Sequence, residues 1–310
     1  MGKKIENNLA PICLFTYNRL DETRLTVEAL QNNFLASQSE LFVFSDGYKD
    51  ADGAIKVGKV RDFLKTIEGF KSVTIFESSV NKGLANSIIE GVSQIVNQYG
   101  KVIVLEDDLI TTPNFLDFMN QCLVQYNDNE SIISISGHSL KFNLPKGYVG
   151  DVYLYGRAAS WGWATWKSRW NVIDWEVKDW EGFSKDRNKI NQFNRNGSDM
   201  FSMLKDYMDG KNNSWAIRFC YAQFKLNKLT VFPIVSKINN IGFGENATNC
   251  NVHDRFVVDL DKSYFNSFLF PDKLILNQDI VGEIVSYYSI KTRIKGKLIT
   301  WYYKFLKAFN

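Results

Sequence analysis

At 310 residues, the chain is long enough to bury a large core as one elaborated α/β domain or two small ones. Its composition, 45% hydrophobic and 23% charged with a net charge of +3, is that of an ordinary folded protein and gives no reason to expect a nucleic-acid partner; aromatics, at 15%, are the one excess. Cys13, Cys122, Cys220 and Cys250 lack CxxC spacing and MGKKIENNLA lacks an apolar signal segment, so the expectation is reduced core thiols in a cytoplasmic protein with no membrane span.

Strands and helices alternate from the start. Residues 11–16 (PICLFT) form a first apolar strand, and Asp21 is placed to cap a helix carrying Leu25, Val27, Leu30 and Phe34. Leu41 to Phe44 is a second strand ending at Ser45-Asp46-Gly47. Val57, Val60, Leu64 and Ile67 then repeat at helical spacing. Val73 to Phe76 is a third strand, followed by Asn81-Lys82-Gly83 and a helix with Leu84, Ile88, Val92 and Ile95. A fourth strand covers 102–105 and a fifth covers Ile132 to Ser136. This order predicts an α/β fold, a mostly parallel central sheet flanked by helices and connected by right-handed crossovers.

The fourth strand carries the chemistry. Val102 to Leu105 is a continuous apolar run, the pattern of a strand buried on both faces, and it ends in Glu106, Asp107 and Asp108. Thr112 then caps a helix with Pro113 at its first position. Strand alternation puts Glu106 and Asp108 on one side and Asp107 on the other. Like charges this close repel by about a few kcal/mol. A divalent cation relieves that repulsion, and oxygen-only ligands suit Mn²⁺ or Mg²⁺. Ligands of open α/β sheets bind beyond the carboxyl ends of the strands. That edge holds Thr16, Asn18 and Arg19, then Asp46 and Gly47, then Asn81, Lys82 and Gly83, then the three carboxylates. A metal-bridged nucleoside diphosphate satisfies such a set. Neither GxxxxGK[ST] nor GxGxxG is present, which disfavours a P-loop or a dinucleotide fold.

From Tyr153 to Trp180 the chain is dense in tryptophan. Core packing and stacking on a sugar ring are both open for Trp161 and Trp163, which lie near Arg157. Residues 182–213 are polar and suggest a mobile insertion. Trp215 to Phe224 suggests a helix, Leu229 to Val235 a strand, and 238–249 a turn-rich loop able to fold over a ligand. His138 and His253 have no ligand spacing and are expected to be structural.

With these pieces in place, the chain resembles the GT-A glycosyltransferases, in particular N-acetylglucosaminyltransferase I and related bacterial capsule and O-antigen transferases. VIVLEDD followed by PNFLDF looks like that group's metal motif, and Tyr17-Asn18-Arg19, FSDG, NKGLANSI, GWATW and NIGFG fall in the group's order. The resemblance implies a GT-A, Rossmann-like nucleotide-sugar-binding fold. Residues 1–140 would be its donor half, 141–275 its acceptor side, and 276–310 a basic aromatic helical tail. It implies Asp108 as the metal ligand, for Mn²⁺ or Mg²⁺. Thr16, Arg19, Asp46, Asn81, Lys82, Gly83, Glu106 and Asp107 would line the donor site, and Arg157, Trp161 and Trp163 the acceptor site. The implied partners are a nucleotide sugar, with a UDP-sugar first, and a saccharide or lipid-linked saccharide acceptor. An inverting member needs a carboxylate base. Where relatives carry an acid beside the Trp of KNNSWAIRF, this chain has Asn212, Asn213 and Ser214. The resemblance thus implies Asn213 at the catalytic position, with either Asp209 or another carboxylate (Asp174, Glu176 or Glu245) substituting as base, or an impaired chain.

Two other classes compete. A sugar nucleotidyltransferase would need a glycine-rich basic phosphate loop, and ICLFTYNRL is not one. A non-catalytic carbohydrate-binding scaffold accommodates the two asparagines. The tail from Lys291 to Asn310 has six basic and no acidic residues, and Ile294, Leu298, Trp301, Phe305 and Phe309 recur at helical spacing. Either it docks on the domain, or it lies on an anionic membrane at the inner face of the plasma membrane.

Overall fold

The computed structural model describes residues 8–242, 256, 258–271 and 273–307, without the side chains of residues 297 and 300–307. The first half is built from β1 (Ile12–Thr16), α1 (Leu20–Gln31), β2 (Glu40–Ser45), α2 (Ala51–Leu64), β3 (Ser72–Glu77), α3 (Leu84–Tyr99) and β4 (Lys101–Glu106). Next come β5 (Leu109–Thr111), α4 (Phe115–Gln125), β6 (Ile132–Ser136), β7 (Val152–Tyr155), β8 (Trp163–Trp166) and α5 (Lys167–Trp170). The chain continues through α6 (Trp180–Lys185), α7 (Arg187–Phe193), α8 (Met200–Met208), α9 (Trp215–Lys225), β9 (Leu229–Pro233), β10 (Ile238–Asn240), α10 (Gln278–Tyr287) and α11 (Ile290–Lys307).

Eight strands form one sheet in the order β3-β2-β1-β4-β8-β6-β9-β7. The pairs β3–β2, β2–β1, β1–β4 and β6–β9 are parallel, while β8 and β7 enter antiparallel. The α/β fold with a mostly parallel central sheet is therefore present. The apolar runs in β1 and β4 are buried because both faces are covered. Ile12, Leu14, Ile103 and Leu105 pack with Val27 and Leu30 of α1, Val60 and Leu64 of α2 and Leu116 and Met119 of α4. The alternate residues Cys13, Phe15, Val102 and Val104 meet Ile88, Val92 and Ile95 of α3 and Trp215 and Phe219 of α9.

Several expectations are corrected. Residues 182–213 are not a mobile polar insertion: they form α6, α7 and α8, whose Phe183, Phe193, Met200 and Leu204 pack on Ile217, Cys220 and Tyr221 of α9. Leu109–Thr111, for which no element was expected, pairs with Ile238–Asn240, so the turn-rich stretch begins with a strand; 243–249 and His253 lie outside the described residues. Asn114, not Thr112, precedes α4, and the Thr112 hydroxyl donates to Asn114 Oδ1. Helix α1 begins at Leu20 with Arg19 at the cap position, ahead of Asp21. Cys13, Cys122 and Cys220 are free and buried, as expected.

Buried Asn33 ties three of these elements together. Its Nδ2 donates to Ala29 O and Thr111 Oγ1, each at 2.9 Å, and its Oδ1 accepts from Leu116 N at 2.9 Å. Asn33→Leu should strand buried partners on β5 and α4 and lower unfolding stability by about 1–3 kcal/mol per group left unpaired, measured by urea denaturation.

Candidate active site at the carboxyl edge of the sheet

Register brings the expected loops abreast. Thr16 pairs with Ser45, and Phe15 with Glu106, so β1, β2 and β4 end on one line. Thr16 is buried there, and its hydroxyl has no hydrogen-bond partner among the described residues.

Asp46 organises the first part of this edge. Its Oδ1 accepts from Gly47 N at 2.9 Å and Lys82 N at 2.8 Å, and its Oδ2 from Gly83 N at 2.9 Å. Asn81 Nδ2 donates to Gly47 O at 2.7 Å, so the SDG and NKG turns clasp each other. Gly47 is required by contact, since a Cβ would run into the Val80 carbonyl. Gly83 is required by its backbone, with φ 75° just before α3. Arg61, which sequence reasoning missed, donates to the carbonyls of Ser45, Asp46 and Ser78 from α2. Lys82 extends its amine to Glu90 at 2.6 Å, along α3.

The carboxylates follow a different geometry from strand alternation. The strand stops at Glu106, and Asp107 and Asp108 occupy a turn. Arg19 Nη2 bonds both Asp107 Oδ1 and, at 2.9 Å, Asp108 Oδ2, so these two share a partner instead of facing apart. Tyr17 N adds a long bond of 3.4 Å to Asp107 Oδ2, and Asn240 Nδ2 lies 3.2 Å from Asp108 Oδ1. Gly242 sits directly against Asp108 Oδ2 and beside Arg19, leaving no room for a Cβ. Asn240 and Gly242 were not expected to contact the cluster. Their sequence signals were a place in a turn-rich segment and in the NIGFG motif, neither of which names the partner.

Glu106 makes no hydrogen bond or ion pair among the described residues. Burial, reinforced by Asp108 and Asp107, pushes its pKa up to about 8. Burial pushes Asp107 up to about 6 against the opposing pull of Arg19. Three carboxylates thus share one directly paired cation. No three metal-ligating side chains converge on one point among the described residues. The cluster offers one or two carboxylates to a cation, which is how Mg²⁺ is held when phosphates supply other ligands.

Other expected residues lie apart from this edge or are otherwise engaged. Trp163 is 1% exposed, stacked between Trp170 and Trp215 with ring centroids at 5.6 and 5.0 Å, so no sugar can reach its faces. Arg157 is committed to a two-bond pair with Asp199, at 2.7 and 3.2 Å, beneath Tyr288. Trp161 is part-exposed against His138, whose pKa burial lowers to about 4 and whose Nε2 meets Phe256 O at 3.2 Å. Asp209 is held by Lys205 at 2.5 Å and Lys211 at 2.9 Å, and these bonds lower its pKa. Asn213 Oδ1 accepts from Arg218 at 3.0 Å.

No family model and no curated protein matches the chain. Parts of solved structures are similar to it. The mannosyltransferase PcManGT from Pyrobaculum calidifontis, in complex with GDP-Man and Mn²⁺, has TM-score 0.38 and 12% identity over 53% of this chain and 46% of that one. S. aureus TarS has TM-score 0.29 and 12% identity over 46% and 24%. Glucosyl-3-phosphoglycerate synthase from Mycobacterium tuberculosis, with Mn²⁺, UDP-glucose and phosphoglyceric acid, has TM-score 0.27 and 15% identity over 43% and 44%. The match spans less than half the length of each of these structures, and a likeness of this degree transfers no residue role.

Because folded Glu106 titrates near 8 and an unfolded glutamate near 4.5, the folded state binds more protons between those values. Stability conferred by neutral Glu106 is full below about 4.5 and is lost as pH rises through about 8. In chelator, Glu106→Gln should therefore melt close to the parent at pH 5 and clearly above it at pH 8.5. An equal gap at both pH values would contradict the buried charge.

Proposed function

We propose that the protein is a metal-dependent, inverting glycosyltransferase of the GT-A type, a hexosyltransferase. It would move a sugar from a nucleotide-sugar donor to a saccharide or lipid-linked saccharide acceptor, in bacterial capsule or O-antigen synthesis. One observation carries this reading. A buried strand in the middle of the sheet ends in three carboxylates, two of them paired with a single guanidinium, beside the clasped Asp46 and Gly83 turns.

The residues present fit a divalent cation arriving with a diphosphate. Glu106, Asp107 and Asp108 offer oxygen alone, which suits Mn²⁺ or Mg²⁺. Asp108 would be its direct ligand, and the bound cation would supply positive charge against the leaving diphosphate. Thr16 has a buried hydroxyl without a hydrogen-bond partner among the described residues at this edge, and Arg19 would supply permanent positive charge near a bound diphosphate. The Asp46 clasp keeps the nucleoside side of the site rigid, so binding costs little ordering. On the acceptor side, Trp161 keeps a part-exposed ring. Partners under this reading are the donor, the acceptor and, for a lipid-linked acceptor, an anionic membrane. No helix among the described residues is long and apolar enough to cross one.

GDP-mannose and UDP-glucose with Mn²⁺ are the first donors to test. Nucleoside diphosphate and Mn²⁺ together should raise the melting temperature, by mass action on the native state, more than either alone. Asp108→Ala should abolish the joint effect, read as the shift from the variant's own ligand-free melting temperature, which the lost Arg19 and Asn240 bonds should lower. A variant that binds UDP and GDP as tightly as the parent in Mn²⁺ would refute the assignment. Release of nucleoside diphosphate from the intact donor separates a transferase from a carbohydrate-binding scaffold.

The base is a separate question. Asp209 stands between two lysines that weaken it as a proton acceptor. Asp209→Asn should keep turnover within about threefold, where loss of a true base costs about 10²–10⁴. A loss in that larger range would restore Asp209 to the role.

A further inference from the structure

The C-terminal segment divides into two helices with different fates. Helix α10 is docked: Ile280 and Ile284 are buried against Tyr153, Tyr155 and Phe232. The Asn277 side chain caps it by accepting from Asp279 N and Ile280 N. Helix α11 leaves that anchor at Ser289 and meets the body through few bonds, among them a long one of 3.5 Å from Arg293 to Ser198 Oγ.

The described part of α11 does not hide its apolar residues. Ile290, Ile294 and Leu298 are 62%, 54% and 61% exposed. Their spacing of four places them along one stripe of the helix. The sequence continues that spacing with Trp301 and Phe305. Lys291 and Lys295, both exposed, follow Ile290 and Ile294 by one residue and so border the stripe. From Lys291 to Asn310 there are six basic residues and no acidic one. A terminal helix docked on the domain would bury its stripe, as α10 does. A helix held by a second copy of this chain would have to set one uniformly basic segment against another.

From this we propose that α11 is an interfacial helix that lies on an anionic lipid surface. The Ile290, Ile294 and Leu298 stripe would enter the acyl boundary, with lysines at the headgroups. An exposed apolar stripe bordered by uncompensated positive charge is what such a surface recognises. Helix α10, packed on β7 and β9, would carry the attachment into the domain. The inference rests on α11 alone and does not depend on the donor site being a transferase site.

The test is co-sedimentation of the full chain with vesicles of phosphatidylcholine alone and with about one third phosphatidylglycerol, at low and high salt. The parent should pellet with the anionic vesicles at low salt, release at high salt, and stay in solution with neutral ones. Lys291→Gln with Lys295→Gln should weaken binding about fivefold per lysine removed. Ile294→Glu with Leu298→Glu should abolish it, and since these positions are exposed both variants should melt like the parent. A parent that ignores anionic vesicles, or binds neutral ones equally, overturns the proposal. So does a dimer, in analytical ultracentrifugation without lipid, that Ile294→Glu with Leu298→Glu dissolves. Donor binding measured on the same variants should be unchanged, so failure here is separable from failure of the transferase reading.

Discussion

The guanidinium of Arg19, shared between Asp107 and Asp108, is the interaction on which the geometry of the site depends. A cation at the cap position of a helix opposes the helix dipole, so Arg19 is a poor way to begin α1. Carboxylates crowded at the end of a doubly covered strand are equally unfavourable alone. Each offsets the other. The consequence is that the entry to α1 and the turn after β4 are locked to one another across two adjacent parallel strands. Asn240 and Gly242 press on the same aspartate, and β10 pairs with β5, so the late segment joins at the same point.

The Asp46 clasp solves a different problem at the same edge. Three backbone N–H groups that would otherwise face a ligand are satisfied by one carboxylate, and Arg61 satisfies three carbonyls from the other side. That leaves the turns rigid and nearly neutral. At the end of β4, by contrast, the Glu106 side chain has no hydrogen-bond or ion-pair partner among the described residues, and burial beside Asp108 and Asp107 disfavours its charge.

Much of the first half of the chain was legible in the sequence because its signals are local. Continuous apolar runs gave β1, β2 and β4 to within a residue, and helical stripes located α2 and α3, although Ile67 of the first stripe lies beyond the end of α2 at Leu64. The acidic run at a buried strand's end was visible for the same reason. What failed was non-local. Alternation predicted opposite faces for Asp107 and Asp108, but it holds only inside a strand, and the strand ends one residue earlier. Arg61 gave no signal, since its partners are backbone carbonyls 15 to 17 residues away. Trp163 looks alike in sequence whether it stacks on a sugar or on Trp170. Only its place in β8, opposite Val104 and under α9, decides for the core. The polar appearance of 182–213 hid a small core, because its few large apolar residues are widely spaced and find their partners on α9.

The start of α9 shows how little packing constrains the residue at 213. Trp215 stacks on Trp163, and β8 runs antiparallel to β4 with Trp163 opposite Val104, so this helix begins near the same edge as the carboxylates. A carboxylate at position 213 would meet Arg218, which is buried and held by neutral groups: Ser214 O, Trp175 O, the Tyr207 hydroxyl and Asn213 Oδ1. Burial alone lowers the pKa of that guanidinium, against the favourable pull of Tyr207. The fold therefore tolerates an amide at 213, since four oxygens already satisfy the arginine. Packing does not require an acid there, and chemistry would. The residue type at 213 is thus not dictated by the packing of this helix start.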